Sequence, residues 1–244
     1  MSSAPTPDLR TASVDYRCGD DVLEAYVVTH ADGSPRPTVL VCHDWSGQNG
    51  GIRAIAERVA ALGYTAVALD NYGKGVRGAE TADNTHLLTP LLADRALLRR
   101  RLLAGVDFAR TQAAVDPERV AAIGYCFGGL CVLDLARAGA PLRGVVSFHG
   151  IFAPPSLGPQ GPIASRVLVL HGWDDPLAQP ADVLALAAEL TAAGADWQLH
   201  AYGHTLHAFT FPGAASPEKG LAYHADAERR SWAAMRAFLA EVLA

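Results

Sequence analysis

The ten residues Val120-Ala-Ala-Ile-Gly-Tyr-Cys-Phe-Gly-Gly129 decide the fold. An apolar, β-prone run over 120–125 passes without a break into a helix-forming run over 127–138, and glycines stand two before and two after Cys126. A strand that turns straight into a helix leaves the residue at the turn on strained backbone, so the positions two either side must be small. The following helix points its N-terminus at that residue, which favours a thiolate and a developing oxyanion alike. Taken alone, Gly-x-Cys-x-Gly is equally the pattern of a packing turn with a buried cysteine. Its meaning depends on what the rest of the chain supplies.

On either side of this segment, apolar strand-like runs alternate with Ala/Leu-rich helical ones. That alternation predicts an α/β architecture, a mostly parallel central sheet with helices on both faces. Upstream, 11–17 and 22–29 read as an antiparallel pair around a Gly19-Asp-Asp21 turn. Strands are then expected at 37–42 and 65–69, separated by a helix over 52–62 that ends at Gly63. A long helix is expected over 89–112. Downstream come strands at 142–148, 166–170 and 197–202, a helix over 180–193, and a last helix within 217–243. The irregular stretches 73–89 and 153–165 are expected to wall a pocket. No repeat or linker divides the chain, so residues 1–244 are expected to form one domain, with 1–10 as a flexible tail.

A nucleophile at such a turn needs a base and an acid, which in this architecture follow it in the order nucleophile, acid, histidine, on loops after later strands. Both arrive in that order. The strand at 166–170 runs into His171-Gly-Trp-Asp-Asp-Pro176, with Asp174 and Asp175 as candidate acids. The strand at 197–202 runs into Gly203-His-Thr-Leu-His-Ala-Phe209, with His204 and His207 as candidate bases. A thiol with a free pKa near ~8.5 is only partly ionised at neutral pH, so an imidazole must hold or take its proton. Given the elbow and the acid loop, His207 is the favoured base and His204 reads as a neighbour lining the loop; spacing alone does not choose between the two acids.

From about Asp15 onward the chain resembles the dienelactone hydrolase family of α/β-hydrolases. The resemblance is carried by His43-Asp-Trp-Ser-Gly47, Gly63-Tyr-Thr-Ala-Val-Ala-Leu-Asp-Asn-Tyr-Gly-Lys-Gly75, Gly124-Tyr-Cys-Phe-Gly-Gly129, Phe148-His-Gly150, His171-Gly-Trp-Asp-Asp-Pro176 and His207-Ala-Phe-Thr210. It implies an α/β-hydrolase fold and a cysteine-dependent hydrolase of small esters or lactones. Cys126 would be nucleophile, His207 base and Asp175 acid, with backbone N–H groups of Trp45 and Phe127 as oxyanion donors. Members usually carry a glutamate where this chain has Asp44, a residue that keeps the resting thiol unreactive. Asp44 is one methylene shorter, and an ordinary loop acid is an equal reading of it. The positions that anchor a substrate carboxylate with arginine hold Lys74 and Phe211 here. A more apolar pocket lined by Trp45, Tyr72, Trp173 and Phe211 is therefore expected, with Lys74 as a remaining anion contact.

Composition narrows the alternatives. The chain has 244 residues, half of them apolar, and a formal net charge of −5 with the two signs interspersed, which gives nucleic acid nothing to bind. No run approaches the ~20 apolar residues of a membrane span, and the polar start lacks a signal core, so a cytoplasmic protein is expected. The four cysteines show neither CxxC nor zinc spacing, and no HExxH occurs, so neither metal nor organic cofactor is expected. A small-molecule substrate and a monomer are the default partner and state. The rival readings are a ligand-binding protein on a hydrolase fold, a peptidase, and a thiol oxidoreductase.

Overall fold

A computed structural model of the chain describes residues 7–79 and 81–244. It opens with the hairpin β1 (Leu9–Cys18) and β2 (Asp21–His30), followed by β3 (Arg36–Cys42), α1 (Gly50–Ala60) and β4 (Thr65–Ala68). Next come α2 (Thr85–Ala93), α3 (Arg95–Arg110), β5 (Val115–Tyr125), α4 (Phe127–Arg137), β6 (Gly144–Phe148), β7 (Arg166–Gly172), α5 (Pro180–Ala192) and β8 (Trp197–Tyr202). The short pair β9 (Ala215–Ser216) and β10 (Leu221–Ala222) brackets a 3₁₀ turn before α6 (Ala225–Val242).

Eight strands form one sheet in the order β1-β2-β4-β3-β5-β6-β7-β8, antiparallel only where β2 meets β1 and β4. The alternation of side chains along each strand divides the core in two. Leu40, Val145 and Val167 face α3, α4 and α5, packing with Leu102, Leu130 and Leu186. Their sequence neighbours Val39, Val146 and Leu168 face α1 and α6, packing with Val59, Met235 and Phe238. Burying each such aliphatic side chain contributes roughly 1.5–3 kcal/mol. No helix is long and apolar enough to cross a membrane among the described residues.

Parallel strands place all their carboxyl ends on one edge, and open α/β sheets bind ligands outside that edge. Here Cys42 pairs with Gly124 and Tyr125 with Phe148, so the loops after β3, β5 and β6 emerge side by side. The loops after β7 and β8 join them.

Some sequence expectations need correction. The 89–112 helix is two helices: Asp94 caps α3 by accepting from the Leu97 N–H at 2.8 Å, a local bond that outcompetes continuation from α2. The last helix, expected within 217–243, occupies Ala225–Val242. The expected tail is shortened from its inner end, since β1 already includes Leu9 and Arg10; residues 1–6 lie outside the described residues. The 153–165 stretch does wall a pocket, though not the one around Cys126. Its first half lines a separate cavity of about 430 Å³ beside α4 and α5, held down by Arg137, which donates to the Phe152 carbonyl at 2.9 Å.

Candidate active site

Cys126 sits between β5 and α4 at φ 56°, ψ −114°, a backbone conformation that non-glycine residues rarely adopt. Its glycine neighbours are sterically required. A Cβ on Gly124 would lie 2.0 Å from the Gly128 carbonyl oxygen, and one on Gly128 would lie 2.2 Å from the Cys42 carbonyl oxygen. The elbow is therefore wedged against β3, the strand whose loop carries Asp44 and Trp45.

The two candidate acid–base pairs separate cleanly. Asp175 and His207 are buried, and His207 Nδ1 donates to Asp175 Oδ2 at 2.7 Å. His204 is fully exposed and stands 3.8 Å from Asp174. Asp175 Oδ1 accepts from the Leu177 N–H at 2.8 Å, so both carboxylate oxygens are engaged. The histidine loop is fastened from behind. The His207 N–H donates to the Gly220 carbonyl at 2.9 Å, and its carbonyl accepts from the Ala222 N–H at 3.2 Å.

Because an ionised carboxylate only accepts, the Nδ1 proton belongs to His207 and Nε2 is left for Cys126. The contact with the thiol is loose. Nε2 is buried without a well-formed hydrogen-bond partner, although the sulfur is near enough to act on the ring. Burial pulls the imidazole pKa down. The charge of a Cys126 thiolate and the Asp175 hydrogen bond outweigh it and push the pKa up to about 10.

The loop after β3 is set by two buried groups. His43 Nε2 accepts from the Asn71 N–H at 3.1 Å, so Nδ1 carries the proton and donates to the Asp44 carbonyl at 2.6 Å. Tyr72 donates its hydroxyl to the Trp45 carbonyl at 3.0 Å. The N–H groups of Trp45 and Phe127 have no acceptor among the described residues. Asp44 borders the cavity that holds Cys126, and its Oδ1 accepts from the Ser46 N–H at 2.8 Å and from the Ser46 hydroxyl at 2.5 Å. That is the geometry of a turn-forming loop acid.

The cavity around Cys126 and His207 measures about 570 Å³. Trp45 and Phe211 line it as the sequence suggests, but three other expected wall residues do not. Tyr72 is buried behind Trp45, Lys74 points outward to Asp15 at 2.5 Å, and Trp173 is largely exposed beyond the acid loop. Their loops leave the correct strand ends, but the direction a loop side chain takes is not encoded by motif position. The missing walls come from α1 and α6 through Ile52, Ile55, Arg58 and Trp232, with Arg58 stacked 4.1 Å over the Trp232 ring.

Sequence reasoning also missed His149, at the end of β6. It lines the cavity, and its ring centroid lies 5.0 Å from that of His207. The available signal was its place immediately after a strand adjacent to the elbow strand. Burial, then the nearby His207, hold its pKa well below the usual imidazole range, and burial likewise lowers that of His43. Both stay neutral in the fold but protonate in the unfolded chain below pH ~6.5. Their contribution to stability is therefore present above that pH and lost as pH falls through it, with a slope of at most ~3 kcal/mol per pH unit for two protons. Urea unfolding midpoints should fall steeply from pH 6.5 to 5. A flat profile across that window would show that these histidines are charged or exposed.

These features belong to a known family: the dienelactone hydrolase family model matches residues 23–243. The chain belongs to the dienelactone hydrolase family. Among solved structures, it is similar to a dienelactone hydrolase-like promiscuous phosphotriesterase from metagenomic libraries. The identity is 39% and the TM-score 0.91, over 97% of this chain and 100% of that one. A Caenorhabditis elegans protein of uncharacterised role is 35% identical over 60% of this chain and 95% of its own. A Methylorubrum extorquens protein provisionally named carboxymethylenebutenolidase is 27% identical over 85% of this chain and 70% of its own. A thermostable carboxylesterase shares only the α/β-hydrolase fold, at 15% identity and a TM-score of 0.69, over 99% of this chain and 92% of that one. As a member of this family the chain is a dienelactone hydrolase-like hydrolase.

Proposed function

We propose that this hydrolase cleaves small neutral esters or lactones through a Cys126–His207–Asp175 triad and a thioester intermediate. The observation that carries the reading is the buried 2.7 Å bond between His207 and Asp175, with the other ring nitrogen left facing Cys126. The thiolate attacks the ester carbonyl and a C–S bond forms. The oxyanion rests on the Trp45 and Phe127 N–H groups, each worth roughly 3 kcal/mol in such sites. Collapse of the tetrahedral adduct breaks the C–O bond, and imidazolium Nε2 gives its proton to the leaving oxygen. Acylation removes the sulfur's negative charge, and with it the strongest influence raising the His207 pKa. The ring is then a neutral base able to take a proton from water, which attacks the thioester and expels the thiolate.

The cavity supports neutral, apolar substrates. Its lining is mostly apolar, through Trp45, Ile52, Ile55, Tyr125, Phe211 and Trp232; of its two cations, Arg58 is paired with Glu228 at 3.2 Å and the other is Lys219, and Phe211 occupies a position where the family resemblance places a carboxylate-anchoring arginine. Lys74, at the other such position, is paired with Asp15 on the outer surface. The same walls suit neutral aryl phosphotriesters, a second substrate class suggested by the similar phosphotriesterase.

The test is hydrolysis of p-nitrophenyl esters, uncharged lactones, dienelactone and an aryl phosphotriester by the wild-type protein. Uncharged aryl esters should exceed dienelactone in kcat/KM. Phe211→Arg should raise kcat/KM for the carboxylate-bearing lactone by about tenfold, one charge-assisted contact of ~1.4 kcal/mol or more. A low KM for dienelactone in the wild type would overturn the apolar-pocket reading, and no turnover of any ester would overturn the ester-hydrolase reading.

A further inference from the structure

We propose that His149 is a positioning residue that fixes the nucleophile's turn and ties it to the histidine loop; the inference rests on Cys126 being the nucleophile. The Cys126 N–H points at His149 Nδ1, 3.1 Å away, and shares its hydrogen with the Phe148 carbonyl at 3.0 Å. A backbone N–H can only donate, so Nδ1 must offer a lone pair and the ring proton must sit on Nε2. Nε2 in turn donates to Thr210 Oγ1 at 2.8 Å. Thr210 lies three residues after His207, so a single neutral ring spans the gap between the elbow and the loop that carries the base.

The surroundings leave this ring little freedom. It is buried, lies edge-on to Phe209 at 5.2 Å, and stands on backbone at φ 37°, where non-glycine residues are uncommon. The His149 N–H is fixed to the Leu170 carbonyl at 2.8 Å, and a Cβ on Gly150 would lie 2.2 Å from Ser147 Oγ. Two residues with positive φ, Cys126 and His149, thus face each other across adjacent parallel strands. Strained backbone persists only where its surroundings over-determine it, and it concentrates at functional sites. The loose contact between His207 Nε2 and Cys126 makes the alignment of these two loops a determinant of rate. A displacement of ~1 Å at such a site is enough to cost about 10²-fold.

The ring has two ends, and two substitutions separate them. In His149→Asn the amide oxygen takes the place of Nδ1 and still accepts from Cys126. In His149→Gln the amide reaches the position of Nε2 and serves Thr210 alone. Steady-state kinetics on a p-nitrophenyl ester should show kcat reduced about 10–100-fold in His149→Gln, with KM changed less than about threefold. His149→Asn should recover most of that loss. The rate of Cys126 alkylation by iodoacetamide, mapped by mass spectrometry, needs no substrate and should rank the variants in the same order at pH 7. Glutamine equal to or better than asparagine, or kcat within twofold of wild type in both, would overturn the positioning role. If the wild type hydrolyses no ester, the functional reading fails on its own, and alkylation rates alone decide the role of His149: asparagine faster supports it, no difference rejects it.

Discussion

Cys126→Ala is expected to lower kcat for aryl ester hydrolysis by about 10⁴-fold or more, and His207→Ala by a similar amount. The double variant should be no worse than either alone within about threefold, because nucleophile and base act as one unit. The residual rate would come from the Trp45 and Phe127 N–H groups and from binding, which neither substitution removes. The same pair sets the pH profile. A pKa raised to about 10 keeps the His207 imidazolium present below that pH and loses it as pH rises through it. For an alkyl ester or lactone, whose alkoxide leaving group needs a proton, the acylation rate should therefore fall on the alkaline side, while p-nitrophenolate leaves without one. Single-turnover rates from pH 6 to 11 check this. An activity that survives both substitutions would place the chemistry elsewhere.

Asp134→Ala is expected to cost stability of about 3–5 kcal/mol without abolishing activity. Asp134 is almost fully buried on α4 and accepts from Arg95 at 2.6 Å and from Arg137 at 3.3 Å. Arg137 also donates to Glu189 at 2.7 Å, and this network joins α3, α4 and α5. Removing the central carboxylate leaves Arg95 without its ion-pair partner and Arg137 with only Glu189. Breaking a buried pair costs more than the pair is worth, because the remaining charge stays desolvated. For a chain of this size the melting temperature should drop by roughly 10 °C. Neither Asp134 nor its partners line the cavity around Cys126, so kcat at 25 °C should stay within about twofold. A melting temperature within 2 °C of wild type would mean that solvent reaches the network.

What could be read from the sequence was local to strand ends. The elbow, the Asp174-Asp175 loop and the His204–His207 loop each follow a β-prone run, so the order of parts and the α/β architecture were legible. The choice of Asp175 rests on family resemblance and that of His207 on its place after the elbow and the acid loop, and the structure separates the pairs by burial, which spacing does not report. The cavity walls were less legible. Ile55 and Trp232 are 177 positions apart in sequence and meet only because α1 and α6 cover the same face of the sheet. Tyr72, Lys74 and Trp173 sit near the right strand ends but turn away, to Trp45, to Asp15 and towards solvent. The break at Asp94 was hidden because apolar spacing continues across it, and a single side-chain cap outweighs that periodicity.

Whether Cys126 carries the acyl group can be seen by mass spectrometry of the wild-type protein quenched during turnover of p-nitrophenyl acetate. One acetyl group on the peptide carrying Cys126, appearing within a single turnover and absent in Cys126→Ala, is the predicted result. Steady hydrolysis with no acyl group on Cys126, and no loss of rate in Cys126→Ala, would contradict a cysteine-dependent mechanism.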